Sequence, residues 1–166
     1  MTIVIPGMVT LSLLSLFYCS MLPETGRKAR MQAFERQYIA HRGFHDNRSE
    51  CPENSLPAFE HAIQMGYGIE LDVQLTKDGV PVVFHDWDLK RAAGVDRKIR
   101  DCTFEELQSY RLFGSSQTIP AFEEVLELAD GRTPLIIELK AEIVHRELCE
   151  KCAVLLCLTI RAMYGL

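Results

Sequence analysis

Ile69-Glu70-Leu71-Asp72-Val73-Gln74-Leu75-Thr76-Lys77-Asp78-Gly79 is the stretch whose reading decides the fold. Apolar and polar residues alternate through it. Side chains alternate across a strand, so Ile69, Leu71, Val73 and Leu75 share one face and Glu70, Asp72 and Gln74 the other. Asp78-Gly79 is a strong hairpin turn signal, and Pro81 to Phe84 reads as the return strand. A parallel crossover needs about a dozen residues or more, so this short link makes the pair antiparallel. Folding about Lys77-Asp78 brings His85 opposite Glu70.

Towards the amino end, Gln37 to Ala40 reads as a short strand ending at His41, and Gly43 to Pro52 as a polar loop. Ser55 is a good helix cap, with Pro57 in the first turn. Ala58, Phe59, Ala62 and Ile63 give that helix its apolar face, and Gly66 ends it. Towards the carboxyl end, residues 86–118 are an irregular excursion with one short helix near Thr103 to Tyr110, where Thr103 and Glu106 form a capping box. An amphipathic helix over Ile119 to Ala129 closes at Asp130-Gly131. Pro134 to Lys140 is a strand with Leu135, Ile137 and Leu139 on one face and Ile136, Glu138 and Lys140 on the other. A helix over Glu142 to Leu156 follows, and Leu156 to Ile160 could open a further strand. This order predicts an α/β protein with parallel strands.

The chain has 166 residues, 48% hydrophobic and 25% charged, with a net charge of −5. That is globular composition without the basic face that nucleic-acid binding requires, so no nucleic-acid partner is expected. A complete (β/α)8 barrel takes about 200–250 residues, more than are present.

No charged side chain precedes Glu24, and Met1 to Leu22 forms one apolar run. About 20 such residues span a bilayer. Neither a basic start nor a small-x-small cleavage site is present, which weighs against an exported signal peptide, the competing reading. A buried core helix is the third reading. Residues 1–22 are therefore read as a membrane anchor helix and 23–36 as a charged linker. Arg27, Lys28, Arg30 and Arg36 would keep the following domain on the cytoplasmic side of a single-pass protein. Leu22-Pro23-Glu24-Thr25-Gly26 looks like a sortase signal but stands on the wrong side of the apolar run. Tyr18 is too bulky for a lipoprotein box before Cys19. Cys149-x-x-Cys152 lies in a helical stretch with no second pair, so these cysteines read as structural.

Glu70 and Asp72 share one strand face, and Glu138 and Lys140 share another. Charges in strands covered on both sides cost several kcal/mol unless they are paired or bind a metal. An internal salt bridge to Lys140 is the plainer reading. Three carboxylates against one lysine leave negative charge in excess, and an all-oxygen set favours a hard divalent cation, Mg2+ or Ca2+. His41 and His85 end strands near this cluster and suit acid–base work near neutral pH. Arg42 and Lys140 could grip an anionic oxygen. Together these groups describe a phosphodiester hydrolysis site.

The same residues resemble the glycerophosphodiester phosphodiesterase family. The resemblance rests on His41-Arg42-Gly43, Pro52-Glu53-Asn54-Ser55, Glu70-Leu71-Asp72-Val73, Thr76, Asp78-Gly79, His85-Asp86, Leu89, Arg91, Ile119-Pro120 and Glu138-Leu139-Lys140. It implies a partial TIM (β/α)8 barrel over residues 37–166, with a hairpin-containing insertion over 76–118 after the second strand and the apolar helix in front. It implies His41 and His85 as the acid–base pair, Glu70, Asp72 and Glu138 as metal ligands, and Arg42, Lys140 and Asn54 as phosphate- or substrate-binding residues. The implied reaction is metal-dependent hydrolysis of a glycerophosphodiester to sn-glycerol 3-phosphate and an alcohol. Ser55 departs from a common Thr, and Ala92-Ala93 from residues often hydroxylated. Two other classes fit the same residues: another lipid phosphodiesterase of the superfamily, and an inactive membrane-anchored module that binds an ion or a partner.

Overall fold

The computed structural model describes residues 34–140 and 146–164. The chain divides into two compact units, residues 1–35 and 36–166, and the account below concerns the second. The predicted anchor helix and most of the predicted linker lie outside the described residues.

Among the described residues four strands form one sheet: β1 (Ile39–His41), β2 (Gly68–Leu75), β3 (Pro81–Val83) and β4 (Leu135–Leu139). β4 pairs parallel with β2 over Ile69 to Val73. β1 pairs parallel over Gly68 to Glu70, and β3 antiparallel over Val73 to Leu75. Both overlap the span that β4 occupies, so β1 and β3 follow one another along the opposite edge of β2. The hairpin register is one residue from the expected one. Val73 pairs with Val83, which brings His85 level with Leu71. The cause is the turn, a longer loop in which the Thr76 amide donates to the Val80 carbonyl at 3.1 Å. Gly79 there sits at φ +76°.

α1 (Leu56–Gln64) starts as its sequence dictates. The Ser55 hydroxyl oxygen accepts from the Ala58 amide, Pro57 stands in the first turn, and Ala58, Phe59 and Ala62 are buried. α4 (Phe122–Ala129) packs beside α1, and together they cover the apolar face of β2. Ile69, Leu71 and Val73 are fully buried there, each side chain contributing about 1.5–3 kcal/mol.

Between β3 and α4 lie two short helices, α2 (Lys90–Ala93) and α3 (Phe104–Leu107), and two single 3-10 turns. Val82, Phe84, Leu89, Ile99, Leu107 and Ile119 give this excursion a core of its own. Thr103 and Glu106 form the expected capping box. α4 begins later than predicted because Ile119 to Ala121 runs extended beside β3, with the Val83 amide donating to the Pro120 carbonyl.

α5 (Arg146–Tyr164) carries the chain through Leu156 to Ile160, so no strand forms there. The expectation of a single-pass membrane protein with a cytoplasmic domain is corrected. Among the described residues no helix is long and apolar enough to cross a membrane. α5 has the length, but Arg146, Glu147, Glu150, Lys151 and Arg161 break its apolar character.

Candidate active site

Parallel strands in register turn their side chains the same way at paired positions. His41 therefore stands beside Glu70, and Asp72 beside Glu138. One carboxylate oxygen from each of Glu70, Asp72 and Glu138 lies within 4.8 Å of the others. Oxygens on opposite sides of a Ca2+ ion lie roughly 4.6–5.2 Å apart, and those around Mg2+ roughly 4.0–4.2 Å, so the three fit around one hard cation.

Asp72 is only 1% exposed. One of its oxygens accepts from Asn54 Nδ2 at 3.0 Å and faces Arg42 Nε at 3.5 Å, while the other is 3.2 Å from Lys140 Nζ. Lys140 also donates to Glu138 at 2.6 Å. Burial alone would lower the Lys140 pKa, but the hydrogen bonds it donates to Glu138 and Asp72 prevail and raise it. Among the described residues, Asn54 Oδ1 is buried and accepts no hydrogen bond. It is a further oxygen left unused beside the acidic cluster.

The turn out of β1 is conformationally costly. Arg42 and Asn54 hold left-handed backbones at φ +57° and +56°, each costing about 1–3 kcal/mol. The Arg42 amide donates to the Glu70 carbonyl, and the Arg42 carbonyl accepts from the Asn54 amide, both at 2.9 Å. Gly43 follows at φ +84°, where a Cβ would meet the Ala58 backbone at 2.9 Å. This explains the His41-Arg42-Gly43 run: the strand ends, the arginine turns back over β2, and only glycine passes α1.

His41 Nε2 is 3.8 Å from a Glu70 oxygen, and its side chain is 67% exposed. The His85 Nδ1–H donates to Asp86 at 2.7 Å, which leaves Nε2 free. His85 lines a cleft of about 500 Å³ together with Trp87, Glu138 and Lys140. Gln74, also on the polar face of β2, donates to the carbonyls of Phe84 and Asp86 on either side of that histidine.

Thus Glu70, Asp72, Glu138, Arg42, Lys140, Asn54 and His41 join in one network, and His85 shares a cleft with its outer members. Reasoning from sequence assigned no role to Glu53, which accepts from Arg42 at 2.9 Å, Asn47 at 2.8 Å and Arg91 at 2.6 Å. Its presence in Pro52-Glu53-Asn54-Ser55 was the available signal. Burial pushes its carboxyl up, but the hydrogen bonds from Arg91 and Asn47, the Arg91 charge and Arg42 outweigh it and bring the pKa down to about 2.

Strands flanked by helices, with the polar cluster gathered around the carboxyl ends of β1 and β4, define an α/β chain of the TIM-barrel class. A solved phosphodiesterase from Oleispira antarctica, described in complex with the product sn-glycerol-3-phosphate, superposes with a TM-score of 0.67 at 33% identity, covering 75% of this chain and 53% of that one. A glycerophosphodiester phosphodiesterase from Thermotoga maritima gives 0.59 at 38% identity, covering 72% and 49%. The model of the glycerophosphoryl diester phosphodiesterase family matches residues 41–163, and the chain belongs to that family. A glycerophosphodiester phosphodiesterase of Bacillus altitudinis is 45% identical over 109 residues, which cover 61% of this chain and 43% of that protein. A human lysophospholipase D is 35% identical over 147 residues, covering 81% and 44%. The chain spans about half the length of the relatives it matches.

Proposed function

We propose that this chain carries out metal-dependent hydrolysis of glycerophosphodiesters to sn-glycerol 3-phosphate and an alcohol. One observation carries the reading: three carboxylates from two neighbouring strands converge within 4.8 Å, flanked by two histidines and two cations. Glu70, Asp72 and Glu138 would hold Mg2+ or Ca2+, which when bound polarises a phosphoryl oxygen. Arg42 and Lys140 grip the phosphate and lower the cost of the charge that develops on it. Asn54 holds Asp72 in place and shapes the pocket. The attacking oxygen, of water or of the substrate's own glycerol hydroxyl, bonds to phosphorus as the bond to the leaving alkoxide breaks, and in the second case water then opens the cyclic phosphate. One of His41 and His85 takes the proton from the attacking oxygen, and the other gives one to the leaving oxygen. In this reading residues 37–166 are the first part of a barrel domain, and 76–118 are its insertion.

A second reading is favoured by the lysophospholipase D relatives, whose match extends over more of the chain. There the substrate keeps an acyl chain. The test offers the whole chain glycerophosphocholine and lysophosphatidylcholine separately, with Mg2+ or Ca2+. Release of glycerol 3-phosphate, abolished by His41→Ala and by chelation, is expected. Lysophosphatidic acid from the second substrate alone would favour the second reading. Cation binding without turnover of either would leave an ion-binding module.

A further inference from the structure

Arg91 stands in the excursion after β3, 38 residues from Glu53, and each of its three guanidinium nitrogens donates to a carboxylate. Nη1 and Nη2 fork onto the two Glu53 oxygens at 3.1 and 2.6 Å, and Nε donates to Asp86 at 2.6 Å. Asp86 in turn accepts from His85 Nδ1 through its other oxygen. On the far side, the Glu53 oxygen nearest Arg91 also accepts from Arg42 Nη1. Glu53 is 8% exposed. Its second oxygen is taken by Asn47 Nδ2, and its amide donates back to Asn47 Oδ1, so this carboxylate cannot turn. The Phe113 ring lies 5.2 Å from the Arg91 guanidinium, and the Phe113 backbone is in the left-handed region at φ +51°. A bulky residue held there is costly, and strain of this kind persists where surrounding structure requires it.

We propose that Glu53 and Arg91 are positioning residues that yoke the two arms of the site, fixing the His85 ring through Asp86 and the phosphate-gripping guanidinium of Arg42 directly. The inference rests on the reading of His85 and Arg42 as working groups, and it adds the device that sets their mutual placement. An ordinary surface salt bridge would join two residues. This chain of bonds runs from the loop after β1 to the loop after β3, and each carboxylate in it uses both oxygens. Its chemical effect is to keep the neutral His85 ring in the tautomer with hydrogen on Nδ1 and to leave Nε2 for the reacting oxygen. Lysine could not replace Arg91, because only the planar fork reaches both carboxylates at once.

Nitrogen chemical shifts of the imidazole and guanidinium groups test this on the whole chain, without metal or substrate and at a pH where the rings are neutral. The unmodified chain should show His85 as a single tautomer. Arg91→Gln should release Asp86 and average the two ring nitrogens. Glu53→Gln should do the same and also remove the protected side-chain resonance of Arg42, and it stands in for Arg91→Gln should that variant fail to fold. Arg97→Gln, which removes an exposed guanidinium elsewhere in the excursion, is the control and should change neither signal. A folded Arg91→Gln chain with an unaltered His85 pattern overturns the proposal, as does Glu53→Gln freeing one arm alone. A locked His85 in a chain that hydrolyses nothing overturns the functional reading and leaves this one standing.

Discussion

β2 and β4 carry acidic residues on the same face of the same sheet, in unlike surroundings. β2 is paired along both edges, its apolar face is sealed by α1 and α4, and Asp72 is closed in by Asn54, Arg42 and Lys140. β4 pairs with β2 alone among the described residues. Its Ile136 and Leu139 are exposed, and the Glu138 side chain is 55% exposed. The contrast separates two roles that a carboxylate can play. On β2 the charge is built into the fold, and removing it takes a buried partner from Arg42, Lys140 and Asn54. On β4 the charge is available to a ligand and supports little else.

The sharpest way to break this contrast is to truncate each acid in turn. Asp72→Ala should cost about 3–5 kcal/mol, because Arg42 and Lys140 lose a buried partner. Glu138→Ala should cost about 0–1 kcal/mol. Both should abolish cation binding in titration calorimetry. Equal losses in denaturant melts would show that the two strands do not differ as described. Apolar side chains of the two strands sharpen the same point: Leu71→Ala, on the sealed face of β2, should cost about 2–5 kcal/mol, and Ile136→Ala, exposed on the polar face of β4, less than about 0.5 kcal/mol, measured by the same melts. Acid gives a separate test. Glu53 binds its proton less readily folded than unfolded, so it stabilises the chain above the ordinary carboxylate range. That contribution fades as pH falls from about 4.5 towards about 2. Glu53→Gln should flatten stability against pH in this window, read from denaturant melts at a series of pH values.

Glu138 was joined to Glu70 and Asp72 through the excess of carboxylates and the family resemblance, and the polar face of β2 and the antiparallel hairpin were legible because strand alternation is local and strong. The start of α1 was legible for the same reason, through Ser55 and Pro57. What escaped depends on distant contacts. α4 starts at Phe122 because β3 holds Ile119 to Ala121 extended, which helical periodicity cannot reveal. The hairpin register followed from a Thr76–Val80 loop that an Asp-Gly pair does not specify. The tie between Glu53 and Arg91 crosses from one loop to another over 38 residues, and although both stand in the family motifs, neither motif says that they meet. Leu156 to Ile160 is apolar enough for either a strand or a helix, and the helix already under way decided it.

On one side β2 changes companion halfway: β1 leaves after Glu70, and β3 arrives by Val73. The main chain therefore diverges at Leu71 and Asp72, with Arg42 departing one way and Phe84 entering from the other. Such a seam is a property of the backbone, and no exchange of side chains closes it. The residues that line it can be altered while the ladders on either side stay intact. Selection can therefore retune the chemistry here without having to rebuild the sheet.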